Sequence, residues 1–339
     1  MAGFKARASP SVVPNLARAQ PDWTIYLLVG RLACVNESEL LHELTPVAET
    51  LLERHLAASK EWFPHDYVPY SRGRDHEPGH EWSPDDADLA GHEITPEIRS
   101  ALLVNLLTED NLPYYFRSVE RMFGRDGAWG TWVRRWTAEE GRHSMAIYGY
   151  LMTTRAIDPV ELERSRMAQV SGGQTPDPQL HEGFIYLALQ ELATRISHRN
   201  TGALLGDPAG YEVMKRVGSD ENLHQLFYRD LAAAAIEADP NTMMIAMEKQ
   251  VRHFAMPGTG IPNFDHHAAL IAKAGIYDLQ VHHEQILAPV VVRQWDAPNI
   301  GGLSGEGAQA QERLMKRLAT SEKVARRFAE KRDAAMASA

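Results

Sequence analysis

The sequence predicts an all-α protein built on four long helices. Three observations carry that prediction. Apolar residues recur at three- and four-residue steps through most of the chain after Glu37, and alternating, strand-like runs are scarce. Helix-start signals, a Thr or Asp followed by Pro, punctuate the chain at Thr95-Pro96, Asp177-Pro178 and Asp207-Pro208. The chain has 339 residues, 44% of them hydrophobic, which is ample for a large core. A formal net charge of −10 with no offsetting basic block argues against a nucleic-acid-binding surface. Cys34 is the only cysteine, which excludes an intramolecular disulfide and a cysteine-based zinc site and fits a reducing compartment.

Residues 1–36 read as a loosely structured leader. Its one apolar run, TIYLLVGRLACV from Thr24 to Val35, is broken by Arg31; it is too short to span a bilayer, and the break argues against a secretory signal. No other segment approaches the roughly 18 apolar residues a span needs, so a soluble, cytoplasmic protein is expected. Residues 37–62 form an amphipathic helix. Residues 63–95 turn polar, rich in Pro, Asp, Gly and His, and loops of that length are functional or mobile. Thr95 can cap a helix over 95–121, with Pro96 at its first position and Glu97 at its positive end. The next long helices are expected over 126–155, 178–205 and 208–239, the last ending at Asp239-Pro240. Shorter helices are expected over 241–254, 264–275, 279–295 and 305–335.

Each long helix carries one chemically loaded segment: LLTEDNLP, AEEGRH, LQELATR and SDENLH. These supply Glu109, then Glu140 with His143, then Glu191, then Glu221 with His224. One Glu-x-x-His pair is expected by chance about once in a chain this rich in both residues, so a single match means nothing. The register means more. Glu109 to Glu140 is 31 residues and Glu191 to Glu221 is 30; Glu109 to Glu191 is 82 and His143 to His224 is 81. The halves read as one helical hairpin used twice, and each i, i+3 pair lies on one helix face.

The six groups also share the apolar stripes of their helices. Val133, Trp136, Ile147 and Leu151 flank Glu140 and His143, while Met214, Val217, Tyr228 and Leu231 flank Glu221 and His224. Four carboxylates gathered in a core would cost several kcal/mol each unless they meet cations. Two divalent metals supply +4 against −4, and oxygen with imidazole nitrogen suits iron or manganese; this ligand set is a known one for di-iron helix bundles. Buried pairs with Arg142, Arg195, Arg199 or Arg216 are the competing explanation. Glu139 and Asp220, one before each Glu-x-x-His, can take the second imidazole N–H across the pseudo-twofold, Asp220 with His143 and Glu139 with His224. Pro113, four residues after Glu109, removes a helix hydrogen bond from the Glu109 carbonyl, and Gly141 can admit a neighbouring helix.

EWFPHDYVPY, TEDNLP, WTAEEGRH, GFIYLALQELATRISHRNTG, DENLH and LSGEG, in that order along the chain, resemble the soluble acyl-ACP desaturases over about residues 37–330. The resemblance implies a ferritin-like four-helix bundle core with additional helices, one domain over 37–335, and two Fe2+ ions per chain. Glu109 and His143 would hold one iron, Glu191 and His224 the other, and Glu140 and Glu221 would bridge. Thr194 matches the family's hydroxyl beside the oxygen site, and Trp62 a family aromatic near it.

The implied activity is O2-dependent insertion of a cis double bond into an acyl chain on acyl carrier protein, with electrons from a ferredoxin-type donor, in a homodimer. An apolar tube beside the metals is expected, with Leu106, Tyr115, Phe116, Gly183, Phe184 and Leu187 as its wall. Arg117, Arg121, Arg134 and Arg135 are candidates for docking the acidic carrier. A hydroxylase of the same fold, a ferritin-like store and a non-catalytic metal-binding relative are the alternatives.

Overall fold

The computed structural model describes residues 36–172, 178–258 and 260–337, so nearly all of the expected leader lies outside the described residues. Among these residues helices alternate with turns and there is no strand. Four long helices make the centre: α2 (Pro96–Asp110), α4 (Gly127–Thr154), α6 (Leu180–Leu205) and α7 (Pro208–Ala238). Around them lie α1 (Glu37–Ala58), α3 (Leu112–Phe123), α5 (Pro159–Ser171), α8 (Pro240–His253) and α9 (Phe264–Lys273). A turn at Leu279–Val281 leads into α10 (His282–Gln294), and α11 (Gly305–Ala337) closes the chain.

Local chemistry sets these boundaries. Thr95 accepts from the Ile98 amide at 3.2 Å, Asp207 from Gly210 at 3.3 Å and Asp239 from Thr242 at 3.1 Å, each followed by Pro in the first turn. The same signal at Asp158-Pro159 starts α5, a helix not expected from the sequence. The helix expected over 95–121 is two helices. It breaks at Asn111, and Pro113 lies in the first turn of α3, so α3 leaves α2 beside Glu109. α10 is a π-type helix rather than the α-helix expected over 279–295.

The polar stretch 63–95 is stapled rather than loose. It holds three short 3-10 turns, Pro64–Asp66, Tyr70–Arg72 and Pro84–Asp86. Arg72 bonds Asp88 and the α7 cap Asp207, the latter at 2.9 Å, and Trp82 donates to the Arg155 carbonyl at 2.9 Å. Where α6 turns into α7 the two helices approach closely. A Cβ on Gly202 would lie 2.8 Å from Met214, and one on Gly210 would strike Leu205 and Tyr150. Gly141 is different, because a Cβ there would make an ordinary 3.6 Å contact with Leu112.

The core is in two parts. One apolar cluster gathers Trp132, Trp136, Phe184, Phe227, Tyr228 and Leu231; the other gathers Leu102, Leu106, Ile147, Tyr150, Met214 and Val217. On α4 and α7 the Glu-x-x-His pairs fall between the residues given to each cluster. A polar layer therefore interrupts the core at the level of Glu109, Glu140, Glu191 and Glu221.

Candidate metal centre

α2 brings Glu109, α4 brings Glu140 and His143, α6 brings Glu191, and α7 brings Glu221 and His224. None of the six is more than 8% exposed, and both imidazoles are at 0%. They fall into two sets, Glu109, Glu140, His143 and Glu221, and Glu140, Glu191, Glu221 and His224, each with one candidate ligand atom per residue within 4.8 Å of the others. Glu140 and Glu221 belong to both sets.

No lysine or arginine among the described residues pairs with these four carboxylates. Arg142 and Arg216, two of the competing partners, turn to Asp220. The basic neighbours of the four are histidines. His143 Nδ1 lies 3.3 Å from Glu221 and 3.7 Å from both Glu109 and Glu140, and His224 Nδ1 lies 2.8 Å from Glu140 and 3.7 Å from Glu191. Yet Glu140 Oε1, Glu191 Oε2 and both Nδ1 atoms are buried with no hydrogen-bond partner. Even the 2.8 Å approach of His224 Nδ1 to Glu140 Oε1 is not aligned as a hydrogen bond. Donor atoms that crowd together without satisfying one another fit a shared cation.

The electrostatics describe the same strain. Burial raises the pKa of Glu221 well above the usual carboxylate value, with Glu140 and Glu191 adding to it; Glu191 is raised by burial and by Glu140. Burial opposes charge on His143 and His224, but the surrounding carboxylates outweigh it and raise both well above the ordinary histidine range.

The outer nitrogens of the two imidazoles face separate acids. His143 Nε2 is 3.4 Å from Asp220 Oδ2 and His224 Nε2 is 3.0 Å from Glu139 Oε2. Trp62 Nε1 donates to Asp220 at 2.7 Å. Burial alone would raise the pKa of Glu139, but hydrogen bonds from His224 and His55 hold it well below its usual range; His143 and Trp62 do the same for Asp220.

Three contributors were not assigned a role from the sequence. His198 Nε2 lies 2.8 Å from Glu109 Oε1, Trp136 Nε1 donates to Glu191 Oε1 at 3.1 Å, and His55 Nε2 lies 2.9 Å from Glu139 Oε2. The two histidines stand alone, and their partners come from 89 and 84 residues away.

Beside the centre is a cavity of about 500 Å³ bounded by Glu109, Glu140, Glu221 and Thr194. The Thr194 hydroxyl donates to the Gln190 carbonyl at 2.8 Å and lies 3.4 Å from Glu221. Of the expected wall residues, Tyr115 and Leu187 line the cavity, while Leu106, Phe116, Gly183 and Phe184 do not. Leu106 is sealed in the Ile147 cluster, Phe184 stacks on Phe123 at 5.7 Å, and a Cβ on Gly183 would meet Met122. The lining stripe on α6 runs Glu182, Tyr186, Gln190, Thr194 at four-residue steps, one position off the ligand stripe. Phe116 packs instead against the apolar cluster that contains Trp132 and Phe184. Of the four expected docking arginines, Arg117 is exposed and lines the cavity, whereas Arg135 turns inward to Glu139 at 2.5 Å.

The family model for fatty acid desaturases matches residues 36–339. The chain is 42% identical over 294 residues to a Mycobacterium tuberculosis protein named acyl-[acyl-carrier-protein] desaturase DesA1, covering 83% of this chain and 85% of that one. It is 30% identical over 314 residues to the chloroplastic acyl-[acyl-carrier-protein] desaturase of Cucumis sativus, covering 86% and 77%. The solved structure of the acyl-ACP desaturase DesA2 from Mycobacterium tuberculosis superposes with a TM-score of 0.60 at 27% identity, over 76% of this chain and 96% of that one.

Proposed function

The chain belongs to the fatty acid desaturase family, and on that premise we propose that it desaturates an acyl chain carried on acyl carrier protein, with two iron ions held by Glu109, Glu140, His143, Glu191, Glu221 and His224. One observation supports this reading above the others. Two four-residue donor sets overlap in Glu140 and Glu221, and three of their carboxylates border the 500 Å³ cavity. Glu109 and His143 serve one ion, Glu191 and His224 the other, and Glu140 and Glu221 both. Four carboxylates balance two divalent ions, and their oxygens with two imidazoles suit iron.

Breaking an unactivated C–H bond is beyond any side chain acting as acid or base. A reduced iron pair, when bound, supplies O2 with the electrons needed to take two hydrogens from adjacent carbons and leave a cis double bond. The chain's own residues do the rest. Met122, Trp136 and Leu187 offer the acyl chain an apolar stretch of wall among polar groups, and a seated chain would exclude water from the centre. Thr194 presents a hydroxyl beside Glu221. Asp220 and Glu139 hold the outer nitrogens of His143 and His224 and so fix which nitrogen faces inward. A ferredoxin-type donor, a homodimer and a cytoplasmic setting complete the proposal; they rest on the resemblance to the family.

The test is to reduce the purified, iron-loaded protein, add O2 and acyl carrier proteins bearing chains of defined length, and identify products by mass spectrometry. A product lighter by two hydrogens is expected. A product heavier by one oxygen would turn the assignment to a hydroxylase, and no product from protein carrying about two irons would overturn it.

A further inference from the structure

His55 belongs to α1, outside the four helices that bear the donor groups, yet it reaches the centre. It is 4% exposed, and its Nε2 lies 2.9 Å from the same Glu139 oxygen that His224 Nε2 approaches at 3.0 Å. Arg135 occupies the other Glu139 oxygen at 2.5 Å. The His55 and His224 rings stack at 5.8 Å with planes 24° apart, and Trp132 stands edge-on to both, at 5.0 and 6.1 Å. The other His55 nitrogen, Nδ1, is buried with no partner. An orphaned buried polar atom is a cost, and here the compensating contact is with Glu139. The opposite half of the centre is arranged differently. There the acid is Asp220, and its neutral partner is Trp62, whose single N–H is fully used.

We propose that His55 is a positioning residue that fixes His224 through Glu139, so that the two halves of the centre are oriented by unlike devices and respond separately to mutation. The proposal rests on the metal-centre reading above. With His55 in place Glu139 is held between two imidazoles and an arginine, and cannot swing away from His224. Without it, Glu139 keeps Arg135, which is free to draw the carboxylate toward the surface, and His224 loses the partner that fixes its ring. His143 keeps Asp220, which Trp62, Arg142 and Arg216 still hold, and is untouched. Outer partners of metal-bound imidazoles are worth roughly 10- to 100-fold in metal affinity.

The experiment titrates metal-free protein with Co(II), followed by visible absorption and bound metal per chain, with thermal melts of the metal-free proteins alongside. Wild type is expected to take up about two ions. His55→Ala should weaken one of the two roughly tenfold or more and leave the other within about twofold. His55→Gln, whose amide N–H can still reach Glu139, should recover most of the loss. The proposal is overturned if His55→Ala leaves both affinities within about twofold, or weakens both alike without recovery in His55→Gln, the mark of a general loss of packing. Wild type that takes up no Co(II) would instead overturn the metal-centre reading, and this inference with it.

Discussion

Glu221 concentrates the tension of the centre in one side chain. It is 1% exposed, and burial, Glu140, Glu191 and Glu109 all push its carboxyl toward the protonated form. Such a group is kept for what it binds rather than for the fold. Glu221→Gln is therefore expected to make the metal-free protein more stable by about 1–3 kcal/mol while abolishing uptake of the second ion. Thermal melts of chelated protein, paired with metal analysis, check both halves; a variant that melts lower when metal-free would contradict the argument. At this scale the sequence was legible where spacing repeated. The six donors at matched intervals converge, whereas His55 and His198 were invisible because a lone histidine has no register to betray it.

The starts of α2 and α7 were legible from composition, because Thr or Asp before Pro solves the orphan-amide and φ problems together, whereas α6 starts at Leu180 behind Gln179 rather than at the expected Asp177-Pro178. α5 was missed despite carrying that signal at Asp158-Pro159. Two of its three buried residues, Leu162, Ser165 and Gln169, are polar, so no apolar stripe marks it. The π character of α10 was illegible, since a few turns with a wider period leave no pattern distinct from an α-helix. The cap of α7 deserves a direct test. Asp207 is 1% exposed and accepts from Gly210, Tyr150 at 2.8 Å and Arg72 at 2.9 Å. Asp207→Ala should cost about 2–4 kcal/mol by chemical denaturation, more than a cap alone, because it also leaves the buried Tyr150 hydroxyl without its acceptor and takes one of two carboxylates from Arg72.

α10 offers a pH prediction. His282 Nδ1 lies 2.9 Å from the Tyr277 hydroxyl and the ring stacks on Phe254, and burial, then His283, lowers its pKa from 6.5 to about 4. A base depressed on folding binds fewer protons in the native state, so its contribution is full above pH 6.5 and is lost as pH falls toward 4. Between pH 7 and 5 the loss is about 2 kcal/mol. His282→Phe, which keeps the stacking, should show a correspondingly smaller drop in unfolding free energy over that interval.

Over the whole molecule, the proposed reaction asks an acidic chain to receive an acidic carrier. A net charge of −10 repels it at long range, so the approach depends on local cations near the cavity. Arg117 is exposed and lines the cavity. Arg117→Glu is expected to raise KM for the acyl-carrier substrate about tenfold with kcat nearly unchanged, and the gap between variant and wild type should narrow as salt is added. The fold class and the long helices were readable because their periodicity repeats over many turns. The cavity wall was not, because it depends on the break at Asn111 and on which of two adjacent stripes of α6 faces the opening.

On the proposed function, that opening would serve two kinds of traffic. Glu109, Glu140 and Glu221 border it, while His143, Glu191 and His224 stand behind them. On that same reading, ions would reach the centre by the corridor that the fatty chain would also occupy, and a resident chain would act as a stopper. Holding the protein with a carrier that bears an unreactive chain should slow stripping of iron by a chelator, measured as the half-time of metal release, and equal half-times with and without the occupant would point to a separate exit.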